Sequence, residues 1–261
     1  MKLLKYPRTP HLEGSRSQPG DEDMDAMPFA AVRGKPLVVE EKVDGANAGL
    51  RFDAGGQLHL QSRGHFLTGG ARERHFAMFK QWATGHTSAL FARLGARYAL
   101  YGEWLYAKHT IFYDALGHFF VEYDVLDTEN ERFLSTGARR ELLAGLPIVS
   151  VPVLWEGAPR RLEEITAHVG PSRMKSPRWR EALSRAAERL ELDPVRIARE
   201  TDASDDMEGL YVKHEEHGHV LARYKYVRRS FLTSVVDSGS NWLTRPVVTN
   251  ELSAGVDLFA P

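Results

Sequence analysis

The chain has 261 residues, 43% apolar and 10% aromatic, enough for a sizeable core, and its formal net charge of −1 gives no overall basic footprint for a nucleic acid. With no cysteine, disulfides, thiolate metal sites and thiol nucleophiles are excluded, leaving Lys, His, Asp, Glu, Ser and Thr to carry any chemistry. No apolar run reaches the length of a membrane span and the opening MKLLKYPRTPHLEGSR lacks a signal-peptide core, so a cytoplasmic protein with no membrane partner is expected.

In chain order, the opening stretch KYPRTPHLEGSR reads equally as basic residues lining a phosphate site or as a packed N-terminal strand. PLVVEEKV is a buried apolar strand, and ANAGLRF and QLHLQS flank Asp53-Ala54-Gly55-Gly56 as a hairpin. A helix is predicted over ARERHFAMFKQWA, followed by the aromatic-rich strands YALYGEWLY and HFFVEYDVLD. From Gly157 to Asp206 the texture changes: RLEEITAHV, PRWREALSRAAERL and PVRIARE have helical spacing, the last with Asp193 as N-cap and Pro194 at the first helical position. LYVKHEE, the turn His217-Gly218 and VLARYKYV restore a strand pair, Arg228 to Val236 reads as a helix, and a short turn-rich tail follows. No repeat or low-complexity tract is visible, so a single domain over 1–261 with a helical insert at about 157–206 is expected.

The chemistry begins at Glu41-Lys42-Val43-Asp44-Gly45. A lysine at the end of an apolar strand loses hydration, which lowers its pKa and frees the amine as a nucleophile. A K-x-D-G match arises by chance in roughly 5% of chains this long, so alone it decides little. Its weight comes from order: Ser62-Arg63-Gly64, Tyr101-Gly102-Glu103-Trp104, Phe119-Phe120-Val121-Glu122-Tyr123-Asp124, Glu208-Gly209-Leu210-Tyr211-Val212-Lys213 and Arg223-Tyr224-Lys225 follow in turn.

This series resembles the covalent nucleotidyltransferases (DNA ligases, RNA ligases and mRNA capping enzymes) over about residues 37 to 228. The resemblance implies an α+β fold: an adenylyltransferase domain of antiparallel sheets with flanking helices, an ATP-grasp-like ligase core. It implies that Lys42 attacks the α-phosphorus of ATP to form lysyl-AMP, with Asp44 and Gly45 shaping its loop. Arg63 is similar to the residue contacting the ribose and then the donor phosphate, and Glu103 to the glutamate on the ribose side. Glu41, just before the lysine, is placed with the nucleotide-binding residues. Phe120 fits the adenine-stacking position by its spacing to Asp124, strand alternation admitting only one of Phe119 and Phe120; both in the core is the alternative. Glu208, with Glu103, matches the acids that hold Mg²⁺ or Mn²⁺, and Lys213 the basic end of the Glu208 motif. Alternation sets Glu208 and Lys213 on opposite faces, so a bulge or strand start near Gly209 is needed for both to face AMP. Arg223 and Lys225 share a face, Lys225 being assigned to the α-phosphate, while Arg223 departs from the usual Lys-x-Lys.

His214-Glu215-Glu216-His217-Gly218-His219 is rich in metal ligands, but it sits at a predicted hairpin tip without the helical histidine pair of a zinc protease, so it reads as a solvated turn. No loop ends in Gly-Lys-Ser/Thr, so ATP is not bound in the P-loop manner. Only 36 residues follow Lys225 and 41 precede Lys42, short of the OB-type or nicotinamide-binding modules of capping enzymes and DNA ligases. The resemblance therefore points to an RNA ligase 2-like enzyme joining a 5′-phosphate RNA end to a 3′-hydroxyl. A DNA ligase-like sealing enzyme and a non-catalytic nucleotide- or RNA-binding module are the alternatives. Modest charge suggests an end-healing kinase or phosphatase partner, with Arg173, Lys175, Arg178, Arg180 and Arg185 as the candidate contact.

Overall fold

The computed structural model describes residues 2–17, 21, 23–231 and 247–260. Two sheets dominate. In the first, β1 (Leu37–Lys42) lies between β8 (Val153–Gly157) and β9 (Gly209–Glu216), with β10 (His219–Val227) outside β9, all antiparallel. In the second, β2 (Ala46–Phe52), β3 (Leu58–Ser62), β4 (Tyr98–Trp104), β5 (Phe120–Asp127) and β6 (Arg132–Phe133) run in the order β3-β2-β4-β5-β6, and β7 (Val149–Ser150) joins β5 in parallel.

Among the described residues six α-helices flank the sheets: α1 (Ala77–Gly85), α2 (Thr87–Leu94), α3 (Thr136–Leu143), α4 (Glu163–Thr166), α5 (Trp179–Arg189) and α6 (Pro194–Arg199). The segment expected to be helical at 71–83 begins as a 3₁₀ turn over Ala71–Phe76 and becomes α1. α6 starts as its sequence dictates, the Asp193 carboxylate accepting from Val195 N with Pro194 in the first turn. The two-residue turn of the β9–β10 hairpin has His217 at φ 51° and Gly218 at φ 79°, the left-handed pair that matches strand twist. His214 meets Glu216 at 2.8 Å there, and His219 meets the His217 carbonyl. Of the helix expected over Arg228 to Val236, the described part is a turn at Arg229–Ser230; 232–236 lie outside the described residues.

Alternation divides each sheet's faces. Leu37 and Val39 of β1 pack with Leu210, Val212 and Tyr224, and this outer face is closed by Leu12, Phe29 and Val32 from the N-terminal segment and Ile165 of α4. The second sheet buries its outer face under α1 and α2, where Phe79 lies 5.2 Å, ring to ring, from both Trp104 and Phe120. α5 and α6 form a third cluster around Trp179, Ile197 and Phe112. Among the described residues no helix is long and apolar enough to cross a membrane.

Candidate active site

The inner faces of the two sheets meet across a cleft of about 600 Å³ lined by Lys42, Arg63, Glu103, Tyr123, Tyr211 and Lys225 among others. Strand register explains why residues so far apart in sequence converge. Lys42 pairs with Gly209, Glu40 with Tyr211 and Val38 with Lys213 across β1 and β9, while Lys225 pairs with Tyr211 and Arg223 with Lys213 across β9 and β10. One face of the sheet thus carries Glu40, Lys42, Tyr211, Lys213, Arg223 and Lys225 in adjacent rows.

Lys42 Nζ donates to Glu208 Oε2 at 2.6 Å. Glu208 reaches this position because β9 starts one residue later, at Gly209. A side chain at Gly209 would place its Cβ 1.9 Å from the Tyr226 carbonyl, so only glycine permits that approach. Burial pushes the Lys42 ammonium down, but Glu208, with Glu103 and Asp44, outweighs it and holds the amine above its ordinary value. This reverses the lowering expected from desolvation alone. Glu103 is raised to about 8 by burial, with Glu208 and Asp44 adding to the shift and Lys42 and Arg63 opposing it.

The remaining predicted residues divide. Arg63 lies just past β3 on the cleft wall, and Lys225 lies on the opposite sheet with Nζ bonded to Asp21. Asp44 clamps the loop beside Lys42: Oδ2 accepts from Thr110 N at 2.7 Å and Ile111 N at 2.8 Å. Its carboxylate thereby acts on the loop that presents Lys42. Glu41 borders the cleft, but its carboxylate accepts from the Ser172 hydroxyl and from Arg173 N at 3.1 Å, so its side chain ties β1 to the segment before α5 and is not offered to a nucleotide.

Phe120 is a correction. It is fully buried against Phe79 and Trp82, and Phe119 packs on Trp104 and Tyr106, so both are core. Tyr123 lines the cleft instead. Register explains this: Tyr101 faces Asp124 while Gly102 faces Glu122, leaving Tyr123 as the extra residue of a β-bulge. The bulge re-aims Tyr123, and Asn47 donates to its hydroxyl.

Lys213 is a second correction, for it is fully buried, donating to the Tyr123 carbonyl and pairing with Glu40 at 2.9 Å and Asp124 at 3.1 Å. Arg223 also stops short of the cleft lining. Its guanidinium lies 3.9 Å from the Phe133 ring centre and 3.6 Å from Asp124. Burial pushes Asp124 up, yet Lys213, Arg223 and the Tyr6 hydroxyl together keep it below its ordinary value. Arg139 of α3, also without solvent exposure, bridges Glu40 of the first sheet and Glu122 of the second. These charges form a buried network that joins the sheets under the cleft.

Sequence reasoning left residues 5–16 open between lining a phosphate site and packing as a strand, and it missed Asp21; Lys5, Tyr6, Pro7, Arg8, Thr9 and Asp21 all border the cleft. The signal was the alternation of basic, aromatic and hydroxyl residues in KYPRTPHLEGSR, which gives no hint of where the segment docks. Among the described residues no cluster of three or more His, Asp or Glu could hold a metal by itself. Glu103 and Glu208 nevertheless suit a hard cation, since Glu103 Oε2 is buried without a hydrogen-bond partner, and Mg²⁺-type ions take one or two carboxylates with phosphate oxygens and water completing the shell.

The RNA ligase family profile matches residues 35–227. The chain belongs to the RNA ligase family. Among solved structures, a Naegleria gruberi RNA ligase variant with ATP and Mn is similar at a TM-score of 0.50 and 18% identity, covering 77% of this chain and 52% of that one. A second variant of that ligase, with AMP and Mn, gives a TM-score of 0.50 and 17% identity over 76% of this chain and 51% of that one. At such identities the likeness is one of fold, and the chain spans about half the length of the ligases it matches. No curated protein matches the chain.

Proposed function

We propose that the chain is an ATP-dependent RNA ligase that carries AMP on Lys42, with residues 157–206 as a helical insert in its nucleotidyltransferase domain. The observation that supports this best is the amine of Lys42 held 2.6 Å from Glu208 within a cleft whose other walls carry Glu103, Arg63 and Lys225. Lys42 Nζ gives up its proton to solvent and attacks the α-phosphorus of ATP; the P–N bond forms as the P–O bond to pyrophosphate breaks. Lys225 offers an ammonium to the negative charge that builds on the phosphates, and Arg63 offers a second cation on the facing sheet. Tyr123 provides an aromatic face for the base. Glu103 and Glu208 would hold Mg²⁺ or Mn²⁺, which would supply positive charge to the phosphates. AMP then passes to the 5′-phosphate of an RNA end, and a 3′-hydroxyl displaces it.

The test is intact mass after incubation with ATP and magnesium. A gain of one AMP is expected for the unaltered chain and none for Lys42→Ala. Covalent AMP retained in Lys42→Ala would overturn the assignment. A non-catalytic RNA-binding module would bind nucleotide and gain no mass in either form.

A further inference from the structure

Lys225 is gripped by the N-terminal segment twice. Its backbone is fixed first: Lys225 N donates to Pro10 O at 3.0 Å and its carbonyl accepts from Leu12 N at 2.8 Å, and His11 bridges Lys225 in parallel. Its side chain is fixed second. Nζ donates to Asp21, whose carboxylate also meets His11 Nε2 at 3.2 Å and Arg8 at 3.4 Å. From His11 the contacts continue: Nδ1 meets Ser15 Oγ at 2.7 Å, and Ser15 Oγ accepts from Val227 N at 2.8 Å. The series Lys225–Asp21–His11–Ser15–Val227 therefore begins and ends on β10.

The donors and acceptors in this loop are in order. Burial and the nearby charge of Lys225 push His11 below its ordinary value, so the ring is neutral near pH 7. Nε2–H then donates to Asp21, and Nδ1 accepts the Ser15 hydroxyl proton. A ring bonded at both nitrogens cannot turn, and the carboxylate it holds cannot swing. Docking the segment requires none of this, because Leu12 is fully buried and the backbone bonds already anchor residues 10–12. Asp21 and His11 are 7% and 3% exposed, and burying a carboxylate costs free energy that an apolar side chain would not. What the carboxylate adds is a fixed direction for Nζ, and a negative charge beside an ammonium that also faces Lys42 and Glu208.

We propose that Asp21 and His11 are positioning residues that aim the Lys225 ammonium into the cleft. The inference rests on the adenylyl-transfer reading of that cleft. The experiment uses the full chain and measures three quantities for Asp21→Asn, Asp21→Glu and His11→Ala: the single-turnover rate of covalent AMP formation at saturating ATP, KM for ATP, and Tm. Misplacing a reacting group by about 1 Å costs on the order of 100-fold, so Asp21→Asn is expected to slow adenylation by about 10- to 100-fold with little change in KM or Tm. Asp21→Glu should recover part of that loss. His11→Ala should slow the reaction in the same direction, and the double variant Asp21→Asn/His11→Ala should be no slower than Asp21→Asn, since both act through one ammonium. An unaltered rate in folded Asp21→Asn protein, or a fall in Tm alone, would overturn the proposal. So would a faster reaction with lower KM, because Asp21 would then be competing with phosphate for Lys225. Absence of AMP transfer in the unaltered chain would instead defeat the functional reading.

Discussion

Glu103 shows how a cleft carboxylate is kept at a cost to the fold. Its pKa of about 8 lies above that of the unfolded chain, so between roughly pH 4.5 and 8 the folded protein binds the additional proton. Stability should therefore fall as pH rises through that window. Glu103→Gln removes the penalty, and its urea midpoint should exceed that of the unaltered chain by an amount worth about 1–3 kcal/mol at pH 8 and close to nothing at pH 4.5. An equal gain at both pH values would mean that titration is not its source. The same variant should adenylate more slowly and need more magnesium, as should Glu208→Gln. Tyr123 makes a separate case at this scale. If its ring faces the base, Tyr123→Phe should keep most ATP affinity and Tyr123→Ala should lose about 1–3 kcal/mol, read by calorimetric titration.

At the scale of elements, the two sheets are held in register by the charges beneath the cleft as well as by apolar contact. Arg139 is fully buried between Glu40 and Glu122, so Arg139→Ala leaves Glu122 without its cation and Glu40 with Lys213 alone. A loss of about 3–5 kcal/mol in denaturant unfolding is expected, the range for breaking one side of a buried pair. A loss below 1 kcal/mol would show that the network relaxes or admits water. Gly209 sets the start of β9, and Gly209→Ala should disturb Glu208 first because the strand must move off Tyr226 to admit the methyl group. Much of this scale was legible in the sequence. The β1 strand, the β2–β3 and β9–β10 hairpins and the Asp193 cap follow from period-2 patterning and turn chemistry, which are local. The short β6 and β7 carry too few residues to show a period, and the bulge at Tyr123 leaves no local mark because it is defined by the partner strand.

For the whole molecule, the distribution of cations matters more than the net charge. Arg178 and Arg180 pair with Glu181 and Asp205, and Arg185 lies 4.0 Å from Glu181. Lys175 donates to the Ser204 carbonyl over the Trp179 ring, and Arg173 to the Val153 carbonyl. The helical surface expected to meet a partner is thus locally balanced. Lys5 and Arg63, exposed at the cleft, are better placed for a polynucleotide phosphate. Lys5→Ala should therefore slow single-turnover joining by pre-adenylated protein on a 5′-phosphorylated RNA nick more than Arg180→Ala does, with the difference shrinking as salt rises. The opposite ranking would restore the helical surface as the contact. Joining should also trail adenylation unless a partner adds surface, and equal, salt-independent rates for the chain alone would remove that expectation.

The sequence by itself supplied the candidate nucleophile and the order of the motifs around it. A lysine after an apolar strand, followed by Arg63, Glu103, Glu208 and Lys225, is a one-dimensional pattern, and strand alternation is enough to assign faces within β1 and β10. Tertiary structure decided which neighbours those residues meet. Desolvation is a property of one side chain's surroundings, so Lys42 was expected to have a lowered pKa; Glu208, 166 positions away, reverses its sign through an ion pair that exists only once β1 and β9 are side by side. Phe120 and Tyr123 differ in role because a bulge depends on two strands, and Lys213 is covered because the second sheet closes over it with Asp124. The N-terminal segment carries no strand period of its own, and its place beside Lys225 follows from the hydrogen bonds left open along the edge of β10.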